Sequence, residues 1–70
     1  MELAFRVDGL DCAEEVAALK AAVGPIVGGD EKLKFDILRA KMTVRAESPE
    51  VTAEDIQRAV AEAGMSARLL

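Results

Sequence analysis

The order of two kinds of apolar pattern constrains how these 70 residues fold. Four short segments alternate apolar and polar residues, which is typical of β-strands with one buried face. Two longer segments repeat apolar residues every three or four positions, which is typical of amphipathic helices. Along the chain the order is strand, helix, strand, strand, helix, strand. Sequential βαβ crossovers are right-handed, so this order predicts two interleaved crossover units.

The first half of the chain holds one predicted strand and one predicted helix. The strand covers residues 2–7, and its apolar face carries Leu3, Phe5 and Val7. Residues 8–10 are predicted to form a loop, because Gly9 allows backbone turns that other residues resist. The helix is predicted to begin at Asp11, an N-cap that forms a capping box with Glu14, and to end at Gly24-Pro25. Its apolar stripe consists of Val16, Leu19 and Val23.

The second half follows a connection over residues 26–29 and holds three strands and a helix. Residues 32–37 and 41–46 alternate, which predicts two strands joined by a hairpin at residues 38–40. The segment Ser48-Pro49-Glu50 breaks the pattern. A capping box of Thr52 with Asp55, and a hydrophobic staple of Val51 with Ile56, predict the start of a second helix.

The second helix is predicted to end at Gly64, followed by a short last strand over residues 65–69. Its apolar positions are Ile56, Val60 and Ala63. The complete order predicts an α+β fold, the ferredoxin-like βαββαβ sandwich, with a four-stranded antiparallel sheet and both helices on one face. We expect residues 1–70 to form a single domain.

Composition narrows the classes of function. The net charge of −4 argues against binding to nucleic acid or to an anionic membrane surface, both of which require clustered Lys and Arg. The longest apolar run, over residues 21–27, is far shorter than the roughly 20 residues that span a bilayer. A single cysteine gives no internal disulfide, which favours a reducing, cytoplasmic setting. With no histidine in the chain, any metal site uses sulfur and oxygen ligands.

The only cysteine, Cys12, lies among the carboxylates of Asp8, Asp11, Glu14 and Glu15. A soft thiolate beside hard carboxylate oxygens suits a borderline divalent ion such as Zn²⁺ or Cd²⁺. The alternative is that Cys12 is a buried core thiol at the start of the helical stripe. The acidic residues would then interact favourably with the positive end of the helix dipole and increase the solubility of the protein.

Residues 9–12, Gly-Leu-Asp-Cys in the first strand-to-helix loop, together with the βαββαβ order, resemble the heavy-metal-associated (HMA) domain. The motif of that family is Gly-Met-x-Cys-x-x-Cys. Here Gly9 and Cys12 match, Leu10 replaces Met, and Glu15 stands in place of the second Cys. The likeness covers the whole chain, including Ala63-Gly64 before the last strand.

The resemblance implies a non-catalytic metal-binding domain, because the family includes copper chaperones and the N-terminal domains of metal-pumping P-type ATPases. Asp directly before the first Cys is similar to the zinc-, cadmium- and lead-exporting branch. We therefore expect Asp11, Cys12 and Glu15 to bind Zn²⁺ or a similar ion such as Cd²⁺ or Pb²⁺, with water or Asp8 completing the shell. The domain would regulate or supply a metal-exporting ATPase from the cytoplasm, as a separate chain or as the cytosolic segment of a membrane protein.

Other interpretations remain open. A degenerate HMA domain would bind no metal and act as a protein-interaction module. A copper(I) chaperone would need two molecules to share one ion through their Cys12 thiolates, converting a monomer into a metal-bridged dimer. An acylphosphatase-like enzyme on this fold would require an Asn, and the chain has none.

Further expectations concern individual residues. We expect Leu10 to form an apolar cover over the site, and Met42, Met65 and Phe35 to pack in the core. The acidic loop around Cys12, including Asp8 and Glu14, is expected to dock onto a basic patch of a partner or of the ATPase itself.

Overall fold

The computed structural model describes residues 2–46 and 50–70. Its helices and strands follow the predicted order: β1 (Glu2–Asp8), α1 (Ala13–Val27), β2 (Leu33–Asp36), β3 (Lys41–Arg45), α2 (Ala53–Glu62) and β4 (Ser66–Leu69). Single 3₁₀ turns at Asp30–Lys32 and Ile37–Arg39 flank β2. The predicted break at Ser48-Pro49 lies outside the described residues. No helix in the two described stretches is long and apolar enough to cross a membrane.

The four strands form one antiparallel sheet in the order β2-β3-β1-β4. β1 lies inside the sheet, where Phe5 pairs with Met42 of β3 on one side and with Leu69 of β4 on the other. The ladder continues beyond β4, because the N–H of Leu70 donates to the carbonyl of Ala4 at 2.8 Å. This arrangement confirms the predicted ferredoxin-like fold.

The hydrophobic core lies between the sheet and the two helices, as the alternating and helical patterns predict. The sheet contributes Phe5, Val7, Met42 and Val44, and the helices contribute Leu19, Val23, Ile56 and Val60. Each of these eight side chains is 0% exposed. Phe35 and Met65 are partly buried and pack against this core, so the prediction that they and Met42 serve packing is confirmed.

The start and the end of α1 differ from the prediction. Cys12, and not Asp11, is the N-cap, and no side chain in the described part of the chain caps this helix. The helix also continues through Pro25 to Val27. Because Gly24 has no Cβ, it relieves the clash that a proline imposes on the residue before it. Extending the helix also buries Val27, which is 7% exposed.

α1 ends at Gly28, which adopts a left-handed conformation with φ of +95°. The N–H of Gly29 then donates to the carbonyl of Gly24 at 2.8 Å, closing the last turn. A side chain with a Cβ rarely adopts this φ, so the Gly28-Gly29 pair is the true stop signal.

The hairpin between β2 and β3 is confirmed, with a different boundary. Ile37 was predicted in the strand, but it belongs to the 3₁₀ turn and is 41% exposed. The carboxylate of Asp36 accepts from the backbone N–H of Arg39 and pairs with its guanidinium at 3.1 Å. These contacts favour the turn over continued extension of β2.

The start of α2 agrees with the sequence. The hydroxyl of Thr52 accepts from the N–H of Asp55 at 3.2 Å, and the carboxylate of Asp55 accepts from the N–H of Thr52 at 3.3 Å. This is the predicted capping box. After the helix, Gly64 has a φ of +88°, and the N–H of Met65 donates to the carbonyl of Val60 at 3.1 Å.

Leu10 belongs to the hydrophobic core, with 1% of its surface exposed. The expectation that Leu10 forms an apolar cover over the Cys12 site stays a prediction, and its burial means that any such cover lies on the core side of the loop. Its burial follows from the short connection between β1 and α1, which turns the loop back over the edge of the core; the N–H of Leu10 donates to the carbonyl of Val7 at 3.4 Å. Leu10 thus anchors the loop from below.

We expect Leu10→Ala to lower the free energy of unfolding by about 2–5 kcal/mol, because it leaves a cavity in the core. Leu10→Met keeps the volume and should cost less than about 1.5 kcal/mol. Leu38→Ala is the matched control, since Leu38 is 99% exposed and should change stability by no more than about 0.5 kcal/mol. Urea unfolding of the three variants measures these values, and equal losses for Leu10→Ala and Leu38→Ala would contradict the anchoring role.

Candidate metal-binding loop

Gly9 sets the path of the loop that carries the cysteine. Its φ is +101°, a conformation that L-residues with side chains rarely adopt. A Cβ placed on Gly9 would also lie 3.0 Å from Cγ of Met65. The motif glycine is therefore required both for its backbone conformation and for the close approach of the loop to the α2–β4 connection.

Cys12 is exposed and free. The alternative that it is a buried core thiol is therefore wrong. The reason is local: Cys12 is the N-cap residue, with an extended backbone (φ −153°, ψ 178°), so it stands before the helical stripe that faces the core. Its position at the helix N-terminus places the thiol near unpaired backbone N–H groups and the positive end of the helix dipole.

Cys12 and Glu15 are brought together by the geometry of the helix start. Glu15 is the third residue of α1, and an N-cap side chain reaches toward that position. Sγ of Cys12 donates to Oε2 of Glu15 at 2.5 Å. Glu15 is half-buried, whereas Cys12 is exposed. A thiol and a carboxylate therefore share one point on the surface, where both can bind the same ion.

The structure does not bring Asp11 into the same group. Within residues 2–46 and 50–70, no three His, Cys, Asp or Glu side chains are close enough together to hold a metal ion. Asp11 is exposed and precedes the N-cap Cys12. Two of the three predicted ligands, Cys12 and Glu15, thus lie side by side in this structure.

A shallow depression adjoins this pair on the side of the α2–β4 connection. It is lined by Gly9, Asp11, Glu14, Glu15, Ala18, Ala63, Gly64 and Met65. Three carboxylates therefore face a short segment that lies about fifty residues further along the chain. Sequence patterns identified the acidic residues, but the position of residues 63–65 beside them depends on the pairing of β1 with β4, which no local pattern shows.

Comparisons with known proteins agree with this architecture. Among solved structures, a protein from work on crosstalk between Cu(I) and Zn(II) homeostasis superposes with a TM-score of 0.86 at 21% identity, covering 100% of this chain and 99% of the other. A copper-binding domain of HMA7, a P-type ATPase, superposes with a TM-score of 0.80 at 24% identity, covering 99% and 92%. At these low sequence identities, the structural similarity establishes the fold of the chain.

Sequence similarity establishes the family. No profile of a protein family matches the chain. The copper chaperone CopZ of Enterococcus hirae, however, is 33% identical over 70 residues, which is the whole length of both proteins. With the HMA fold, the motif glycine and the cysteine all in place, the chain belongs to the heavy-metal-associated domain family that includes this chaperone.

Proposed function

We propose that this chain binds a metal ion through Cys12 and Glu15 and passes it to a partner protein. The observation that carries the proposal is the contact between Sγ of Cys12 and the carboxylate of Glu15 on an exposed surface. In the family motif the position of Glu15 belongs to a second cysteine, so a carboxylate replaces the second sulfur at the same point of the helix.

The proposed ion is Zn²⁺ or a similar divalent ion, Cd²⁺ or Pb²⁺. One thiolate with carboxylate oxygens is a mixed soft and hard donor set, which suits borderline divalent ions better than Cu(I). Asp11 is proposed as a third ligand after a side-chain rotation, because it is exposed and forms no side-chain hydrogen bond within the described residues. Water or Asp8 would complete the shell.

The proposed role is to regulate or supply a metal-exporting P-type ATPase. A site on the opening turn of one helix is exposed on its outer side, and a partner's ligands can reach the ion without unfolding this domain. The relatives support this role, since they include a copper chaperone and a domain of a P-type ATPase. The acidic residues Asp8, Asp11 and Glu14 are exposed around the site and would attract a basic surface of the partner.

Copper(I) is the second candidate cargo. The 33% identical relative is a copper chaperone, and this observation favours the same ion here. One molecule offers a single thiolate, so two molecules would have to share one Cu(I) through their Cys12 side chains. The exposure of Cys12 allows two thiolates to approach each other.

A Cd²⁺ titration of the reduced protein tests the proposed site, with thiolate-to-metal charge-transfer absorbance as the signal. We expect saturation at one ion per chain, no signal in Cys12→Ser, and at least about tenfold weaker binding in Glu15→Gln. Glu14→Gln is the matched control, because it removes the same charge one residue away and should leave the affinity almost unchanged. A wild-type protein without any signal would instead support the HMA domain that binds no metal.

The copper alternative is tested by size-exclusion chromatography of the reduced protein with half an equivalent of Cu(I). If two Cys12 thiolates share one ion, we expect a dimer whose fraction rises with protein concentration. We expect no dimer in Cys12→Ser. The sulfur–carboxylate site predicts that the protein remains a monomer with Cd²⁺. If the protein forms a Cu(I)-linked dimer and binds neither Cd²⁺ nor Zn²⁺, the result would identify Cu(I) as the ion that the protein carries.

A further inference from the structure

The face of the sheet opposite the helices carries a row of three cations. In the register of the sheet, Arg6 of β1 lies directly opposite Lys41 of β3 and directly opposite Arg68 of β4. Residues at even positions of β1 point away from the core, because Phe5 and Val7 at odd positions are 0% exposed. Arg68, Arg6 and Lys41, here called the cationic row, therefore stand side by side on three neighbouring strands.

This arrangement is unfavourable for the isolated domain. Neighbouring strands lie about 4.8 Å apart, and like charges directly opposite each other destabilise a sheet. Within residues 2–46 and 50–70, no carboxylate forms an ion pair with any member of the cationic row. Asp36 continues the row on β2 opposite Lys41, but its carboxylate already pairs with Arg39 at 3.1 Å.

Neither packing nor solubility accounts for the row. Arg6 and Arg68 are exposed, and Lys41 is half-buried. The chain has a net charge of −4, so added positive charge brings the molecule closer to neutrality and does not improve solubility. Five of the nine cations of an acidic protein thus lie on this face of the sheet, and three of them form the cationic row at a cost in self-repulsion.

We propose that the cationic row is a docking surface for an acidic segment of a partner protein, with several carboxylates in a short stretch. Carboxylates placed over the row would form charge-assisted hydrogen bonds with two guanidinium groups and one ammonium group, and would relieve their mutual repulsion. Beside the centre of the row the side chains are small, Ala4 and Thr43 in the next register line and Ser66 beyond Arg68, so an extended peptide can approach closely there. Lys34 continues the line of Ala4 and Thr43 on β2 and adds a further cation.

The charge balance favours an acidic protein over an anionic membrane or a nucleic acid. Recognition of anionic lipids uses clusters of four to eight basic residues, and nucleic acids require a larger basic surface still. This face carries five cations, because Lys34 and Arg45 share it with the row, but the carboxylates of Glu2, Asp8 and Asp36 lie among them and reduce its net charge to about +2. Asp8 follows Arg6 on the same face, where its partner across the strands is Ser66, and it would repel an extended phosphate surface. A short peptide can lie along the row and avoid Asp8.

The cationic row lies on the sheet, and the acidic loop that surrounds Cys12 adjoins this face at Asp8. The chain therefore presents opposite charges on two surfaces, one for a basic partner at the metal loop and one for an acidic partner on the sheet. This inference does not depend on the proposed metal site, because none of the three cations is a proposed ligand.

Fluorescence anisotropy of a labelled hexaglutamate peptide at low ionic strength tests the proposal. We expect binding by the wild-type protein that weakens with added salt, and a loss of affinity of at least about tenfold in the double variant Arg6→Gln/Arg68→Gln. The matched control is Lys20→Gln/Arg58→Gln, which removes the same charge from exposed positions on α1 and α2 and should retain the wild-type affinity.

Thermal unfolding of the same variants separates a binding role from a structural one. Because the three cations repel one another, Arg6→Gln should leave the melting temperature unchanged or raise it. The proposal is overturned if the wild-type protein does not bind the peptide, if both double variants lose affinity equally, or if Arg6→Gln lowers the melting temperature by several degrees. It is also overturned if phosphatidylserine vesicles bind to the row and the peptide does not.

Discussion

The pairing of β1 with both β3 and β4 is the interaction on which the rest of this structure depends. It fixes Phe5 and Val7 in the core, and the chain leaves the sheet after Asp8. The same pairing brings Met65, just before β4, against Gly9, so that the loop is held from the side as well as by the burial of Leu10 below. The paired strands and the buried Leu10 therefore fix the position of Cys12 at the start of α1, and their packing does not depend on the thiol.

Most of the fold follows from local patterns, and the differences have physical causes. Alternation predicted the strands, and the Thr52 capping box predicted the start of α2. α1 continues past Pro25, where a helix is expected to end, because the extension buries Val27 and the left-handed conformation that ends the helix occurs only at Gly28. The burial of Leu10 could not be predicted from the sequence, because an apolar residue in a loop can lie at the surface or in the core.

The sequence predicted which residue types form the site, but it did not predict how their side chains are arranged. The spacing of Cys12 and Glu15 places them at the N-cap and the third helical position, which explains their contact. Asp11 was expected to cap the helix, and Cys12 is the N-cap instead; the role of Asp11 as a metal ligand stays a prediction. The cationic row could not be predicted from the sequence, because its three residues become neighbours only through the register of three strands that are distant along the chain.

The central claim is that a thiolate and a carboxylate of one molecule hold the ion. X-ray absorption spectroscopy of the Zn²⁺-loaded protein tests it most directly, since zinc–sulfur distances of about 2.3 Å are distinguishable from zinc–oxygen distances of about 2.0–2.2 Å. The account predicts one sulfur neighbour per zinc, with oxygen atoms in the remaining positions and a loss of oxygen neighbours in Glu15→Gln. Two sulfur neighbours per zinc would contradict it, because the second thiolate could come only from another molecule.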